Sequence, residues 1–138
     1  MKKIDDPKEA FAYYFSKLDI TGIDRVLKDN NNYDGESKDF YVSLIRNEFE
    51  NFKKQNIHYL KPIKGICKGC KNGCSGYVFI DEKSGFYVNM VIDVKNSEIV
   101  DLIECLNFKL EVENSFIKEQ IIIKPFLEII QNEENIPF

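Results

Sequence analysis

The chain predicts an α+β domain with its helices first: three N-terminal helices, then a strongly curved antiparallel sheet, a cone or roll, of about four to six strands. Three observations carry this. Apolar residues recur at helical spacing as far as Gln55, apolar and polar residues alternate at period two from Phe86 to Asp93, and turn-forming clusters separate the later segments. The 138 residues fit one domain able to bury an adequate core, with 109–138 as a C-terminal extension of that domain.

In order, Asp6 caps a first helix and Pro7 takes its first position. Phe11, Tyr14, Phe15 and Leu18 then form its apolar stripe. A short second helix starts near Thr21 and carries Ile23, Val26 and Leu27 on one side. Asp29-Asn-Asn-Asn-Tyr-Asp-Gly35 breaks it, because Asn, Asp and Gly favour turns and left-handed backbone. Ser37 caps a third helix, whose stripe is Val42, Ile45, Phe49 and Phe52, widened by Tyr41 and Leu44.

From Ile57 to Ile66 the pattern predicts a strand, with Pro62 at a bulge or an edge position. A strand from Gly76 to Asp81 follows, then a tight hairpin at Glu82-Lys-Ser-Gly85 with Gly85 left-handed. Phe86, Val88, Met90 and Ile92 alternate with Tyr87, Asn89, Val91 and Asp93 as a half-buried strand. Lys95-Asn-Ser97 turns the chain into a last strand, Ile99 to Phe108. Beyond Asn114 two readings stand, a short helix opened by Pro125 or a strand at Ile121-Ile-Ile123.

Apolar content of 43% with 30% charged residues indicates a soluble globular chain. A net charge of −4 argues against a nucleic-acid platform, which needs a basic face to neutralise phosphates. Lys61, Lys64, Lys68 and Lys71 are read as a solvated loop and strand edge rather than a binding patch. No run approaches the roughly 20 apolar residues of a membrane span, so no membrane association is expected. The segment Met1-Lys-Lys-Ile-Asp-Asp-Pro7 has no signal-peptide core, which predicts a cytoplasmic protein with reduced thiols.

Cys67, Cys70 and Cys74, spaced C-x2-C-x3-C among Gly65, Gly69, Gly73 and Gly76, are the local departure from an ordinary packed domain. With turns placed near residues 71, 84 and 96, Cys67 falls opposite Cys74 with Cys70 at the tip, whereas Cys105 lies roughly 15–20 Å away along the strands. Free structural thiols, a metal site, a Cys67–Cys74 disulfide and a redox thiol all fit. C-x2-C is half of a zinc site, the other half is absent, and Asp93 is the nearest candidate for a fourth ligand. No cofactor is otherwise expected.

His58, the single histidine, has no nucleophile beside it in sequence. Asp101 and Glu104 lie on opposite faces of their strand because their separation is odd. If the even residues face inward, Val100, Leu102, Leu106 and Phe108 line the interior with Glu104, whose carboxyl would then titrate high and serve as an acid or base. A slip of one residue would send Glu104 to solvent instead. Asn89 is read as a surface residue. Tyr77-Val-Phe-Ile80 is apolar on both faces, so its outer face needs cover from the C-terminal segment or from a homodimer partner.

Three helices followed by an antiparallel meander, with the Tyr33-Asp-Gly35 turn and a long third helix, resemble the cone-shaped nuclear transport factor two-like superfamily over residues 7–108. The resemblance implies a sheet curled around the helices and a pocket at its open end. Here that pocket would be lined by Tyr14, Phe15, Phe49, Val88, Met90, Leu102 and Glu104. It also implies dimerisation through the outer sheet face. Members include isomerases and dehydratases as well as domains that only bind. The reading is therefore a domain that binds a small apolar ligand or a partner. The alternatives are an isomerase-like or dehydratase-like enzyme using Glu104 or Asp101 with His58, and a metal-stapled interaction domain built on the cysteines.

Overall fold

A computed structural model describes residues 6–66, 75–104, 119–121 and 123 of the chain. Helix α1 (Pro7–Ser16) starts where Asp6 Oδ1 accepts from Lys8 N–H at 2.8 Å, as its sequence predicts. It ends through a left-handed Leu18 (φ 55°), whose N–H reaches Phe15 O while Asp19 N–H reaches Tyr14 O. Leucine replaces the usual glycine there because its side chain is buried: roughly 1.5–3 kcal/mol of burial outweighs the roughly 1–2 kcal/mol of backbone strain. Helix α2 (Ile20–Val26) starts one residue earlier than expected, since Asp19 rather than a later residue accepts from Gly22 N–H.

The Asp-Gly turn does more than break a helix. Strands β1 (Asn32–Tyr33) and β2 (Glu36–Ser37) pair across Asp34 (φ 53°) and Gly35 (φ 80°), a two-residue hairpin with both central residues left-handed. Helix α3 (Lys38–Lys54) is capped by Ser37 and closes at Asn56 (φ 64°), where Ile57 N–H donates to Phe52 O at 2.8 Å. That closure shortens the next strand. Residues 57–60 are a connection in which Leu60 N–H is held by Ser16 O, and β3 is Lys61–Ile66 rather than Ile57–Ile66.

Strands β4 (Ser75–Ile80), β5 (Phe86–Lys95) and β6 (Glu98–Ile103) complete an antiparallel meander of order β3-β4-β5-β6. Pro62 sits on its edge strand and Gly85 is left-handed (φ 82°), both as the sequence implied. Asn96 and Ser97 are left-handed too (φ 53° and 62°) and form the two-residue turn between β5 and β6. A two-residue β7 (Glu119–Gln120) pairs parallel to β5 at Phe86 and Tyr87. The strand expected at Ile121-Ile-Ile123 falls instead on 119–120, with Ile121 and Ile123 outside it, while Ile122 and 125–130 lie outside the described residues.

The helices and the sheet share one apolar core. Phe15 is its hub, with ring centroids 5.6 Å from Phe11, 5.0 Å from Phe49 and 4.4 Å from Phe79. Tyr77, Phe79, Val88, Met90 and Ile92 supply the sheet side. The opposite sheet face is also buried within the single chain, through Val78, Ile80, Asn89 and Val91. Asn89 is therefore not the surface residue its sequence context suggested, because both faces of mid-β5 are covered. Ile103, opposite Val91 on that outer face, is exposed.

Candidate functional site

A β-bulge decides what β6 points inward. Asp93 pairs with Asp101, but Val94 pairs with Ile99, so Val100 is an extra residue. Ile99 and Leu102 are both fully buried and Val100 only half so, where simple alternation would have turned Val100 inward. Past the bulge the even residues do face the core, and Glu104 follows Leu102 into it at 8% exposure. Leu106 and Phe108 lie outside the described residues.

Glu104 closes one end of the interior. Its Oε1 accepts from Ile123 N–H at 2.6 Å, and Ile123 is itself buried in the core. One residue pair away, Ile121 N–H donates to Tyr87 O at 2.7 Å. Residues 119–121 are thereby clasped to β5 by main-chain bonds, and Ile123 to the end of β6 by a carboxylate. Tyr41 of α3 is fully buried, with its hydroxyl 3.6 Å from the Met90 sulfur. Burial pushes the Tyr41 phenol well above its ordinary range, and the charges of Glu104, Asp34 and Asp101 push it the same way. This end of the domain thus holds a neutral phenol among three acidic side chains.

Asp101 is tied into the fold. Its Oδ1 accepts from Asp34 N–H and from its own strand neighbour Leu102 N–H, both at 2.8 Å. It pins the β1–β2 turn to β6. Tyr33 helps, accepting from Lys28 N–H at 2.9 Å and donating to Ile99 O at 3.2 Å, and Asn31 Nδ2 donates to Glu98 Oε2 at 2.9 Å. Sequence reasoning overlooked this arrangement, although Asp34-Gly35 as a two-residue turn was a signal that would have found it.

The structure does not bring Asp101, Glu104 and His58 together. His58 is exposed in the connection before β3, its Nε2 3.3 Å from Asn56 Oδ1. β3 and β6 are the two ends of the meander, three strand spacings or about 14 Å apart. Of the residues expected to line a pocket, Phe15, Phe49, Val88, Met90 and Leu102 are packed against one another in the core. Tyr14 is only partly buried at the margin of that core, its ring filling the space beside Gly22 where a Cβ would clash, and so joins α1 to α2.

Cys67, Cys70, Cys74 and Cys105 lie outside the described residues. The strand ends Ile66 and Ser75 that flank the trio are paired with each other. Among the described residues no cluster of three or more metal-ligating side chains occurs, and no helix is long and apolar enough to cross a membrane. Compared with protein-family models, with curated proteins and with solved structures, the chain matches none.

Proposed function

We propose that this is a non-catalytic binding domain, whose sheet curls around the helices as a cone and takes a small, largely apolar ligand at the end where β6 stops. The observation that carries the reading is the Glu104 carboxylate. It is buried, accepts from the Ile123 amide and places its charge near the buried Tyr41 phenol. An apolar chamber with one or two fixed polar groups is the usual composition of a small-ligand site. In this reading Glu104 and the neutral Tyr41 hydroxyl orient the ligand, and Ile123 moves aside to admit it. Asp101 has no part in it, being committed to the Asp34 turn.

The experiment is a thermal-shift screen of alkyl amines, fatty alcohols and fatty acids against the chain and its Glu104→Gln variant. The expected result is a stabilising apolar compound whose effect shrinks in the variant. A screen with no stabilising compound, or one whose hits ignore position 104, would count against the reading.

A further inference from the structure

We propose that the outer edge of β3 is a docking edge, which takes an extended acidic segment of a partner protein as an added strand. The main-chain directions follow from one bond. Ile121 N–H donates to Tyr87 O, so Tyr87 turns its main chain toward β7 and away from β4. Alternation gives Val88 and Met90 to β4, where they face Phe79 and Tyr77. Val78 and Ile80 then turn to β3, against Ile63 and Lys61. Pro62, Lys64 and Ile66 are left pointing outward. Pro62 suits that position because it has no N–H to give to β4. Lys64 thus offers N–H and C=O, and Pro62 a C=O, along an edge beyond which no described strand stands.

Charge selects the occupant. From Ile57 to Ile80 the chain carries Lys61, Lys64, Lys68 and Lys71 and no Asp or Glu, within a protein of net charge −4. Lys61 and Lys64 are exposed on β3, and Tyr59 is exposed just before it. The ion pair of Lys61 with Glu82 at 3.5 Å joins two exposed side chains and exchanges readily. Edge lysines also repel strands: two copies of β3 would set lysine against lysine, and an apolar strand would find no countercharge. The same residues that reject those pairings favour an acidic one.

The test uses the full chain and a fluorescent alternating Glu-Val peptide of about eight residues. Binding is expected by anisotropy, weakened by salt, with the Lys64 amide becoming protected from hydrogen exchange. Lys64→Glu and Lys64→Pro should each weaken it at least about tenfold at unchanged melting temperature, the proline because it removes an outward N–H and leaves the β4 ladder intact. Should Lys64→Pro fail to fold, a peptide methylated on alternate backbone nitrogens gives the same readout on the wild-type chain, and loss of its binding is expected. Four results would overturn the proposal: no binding at about millimolar peptide, equal binding of a Lys-Val peptide, equal binding of an oligothymidylate, or undiminished binding of the methylated peptide.

Discussion

Replacing Glu104 by leucine isolates the clasp on the C-terminal segment. The substitution keeps an apolar body of similar size in the core but removes the acceptor of Ile123 N–H, which at 2.6 Å is a short, charge-assisted bond. An amide left unpaired in a buried position costs roughly 1–3 kcal/mol. Relief of the carboxylate's own desolvation offsets part of this, so the net belongs at the lower end of that range. The loss falls on a local opening, because Ile121 and Ile123 are otherwise held by the two-residue pairing of β7, the Ile121–Tyr87 bond and the burial of Ile123. Hydrogen exchange is the assay. Protection of the Ile123 and Ile121 amides should drop about 5- to 30-fold, while the amide of Leu102, held by Asp101, keeps its protection. Glu104→Gln, which retains an acceptor oxygen, should fall in between. Unchanged protection at Ile123 in the leucine variant would show that the carboxylate does not hold this segment, and the proposed lid over the ligand end would go with it.

Three further outcomes are expected. Gly76→Ala should destabilise the domain by about 1–3 kcal/mol or more in urea melts, because a Cβ there runs into the Met90 carbonyl and the Val91 backbone of β5; a neutral effect would contradict the β4–β5 spacing. Lys38, nine-tenths buried, is pulled down by desolvation, but its bond to Asp29 and the charges of Asp24 and Asp29 together raise its pKa above 10.5. A raised folded-state pKa gives stability present below the unfolded value and lost as pH climbs past the folded one. The stability gap between wild type and Lys38→Met should therefore hold at about pH 8 and narrow at about pH 11 in thermal melts. For the cysteine trio, elemental analysis of protein purified without chelator decides the metal reading: less than about half an equivalent of zinc or iron per chain would reject it.

The sequence by itself determined the elements that local chemistry controls. Asp6, Ser37 and Pro7 mark helix starts because a side-chain oxygen or a missing N–H is needed there whatever packs later. The alternation from Phe86 to Ile92 and the left-handed Gly85 fix the meander in the same way, since they are properties of a few adjacent residues. The interior direction of Glu104 was one of two open readings. It hung on a single residue of register, and the extra residue at Val100 belongs to the pairing of two strands rather than to either one. Nor could sequence place Tyr41 of α3 among Asp34 of the β1–β2 turn and Asp101 and Glu104 of the β6 stretch, which come from three separate segments. The separation of His58 from both acids and the burial of Asn89 were likewise decided by tertiary structure. They depend on which strands end at opposite edges and on both faces of β5 being covered, and no run of neighbouring side chains encodes either.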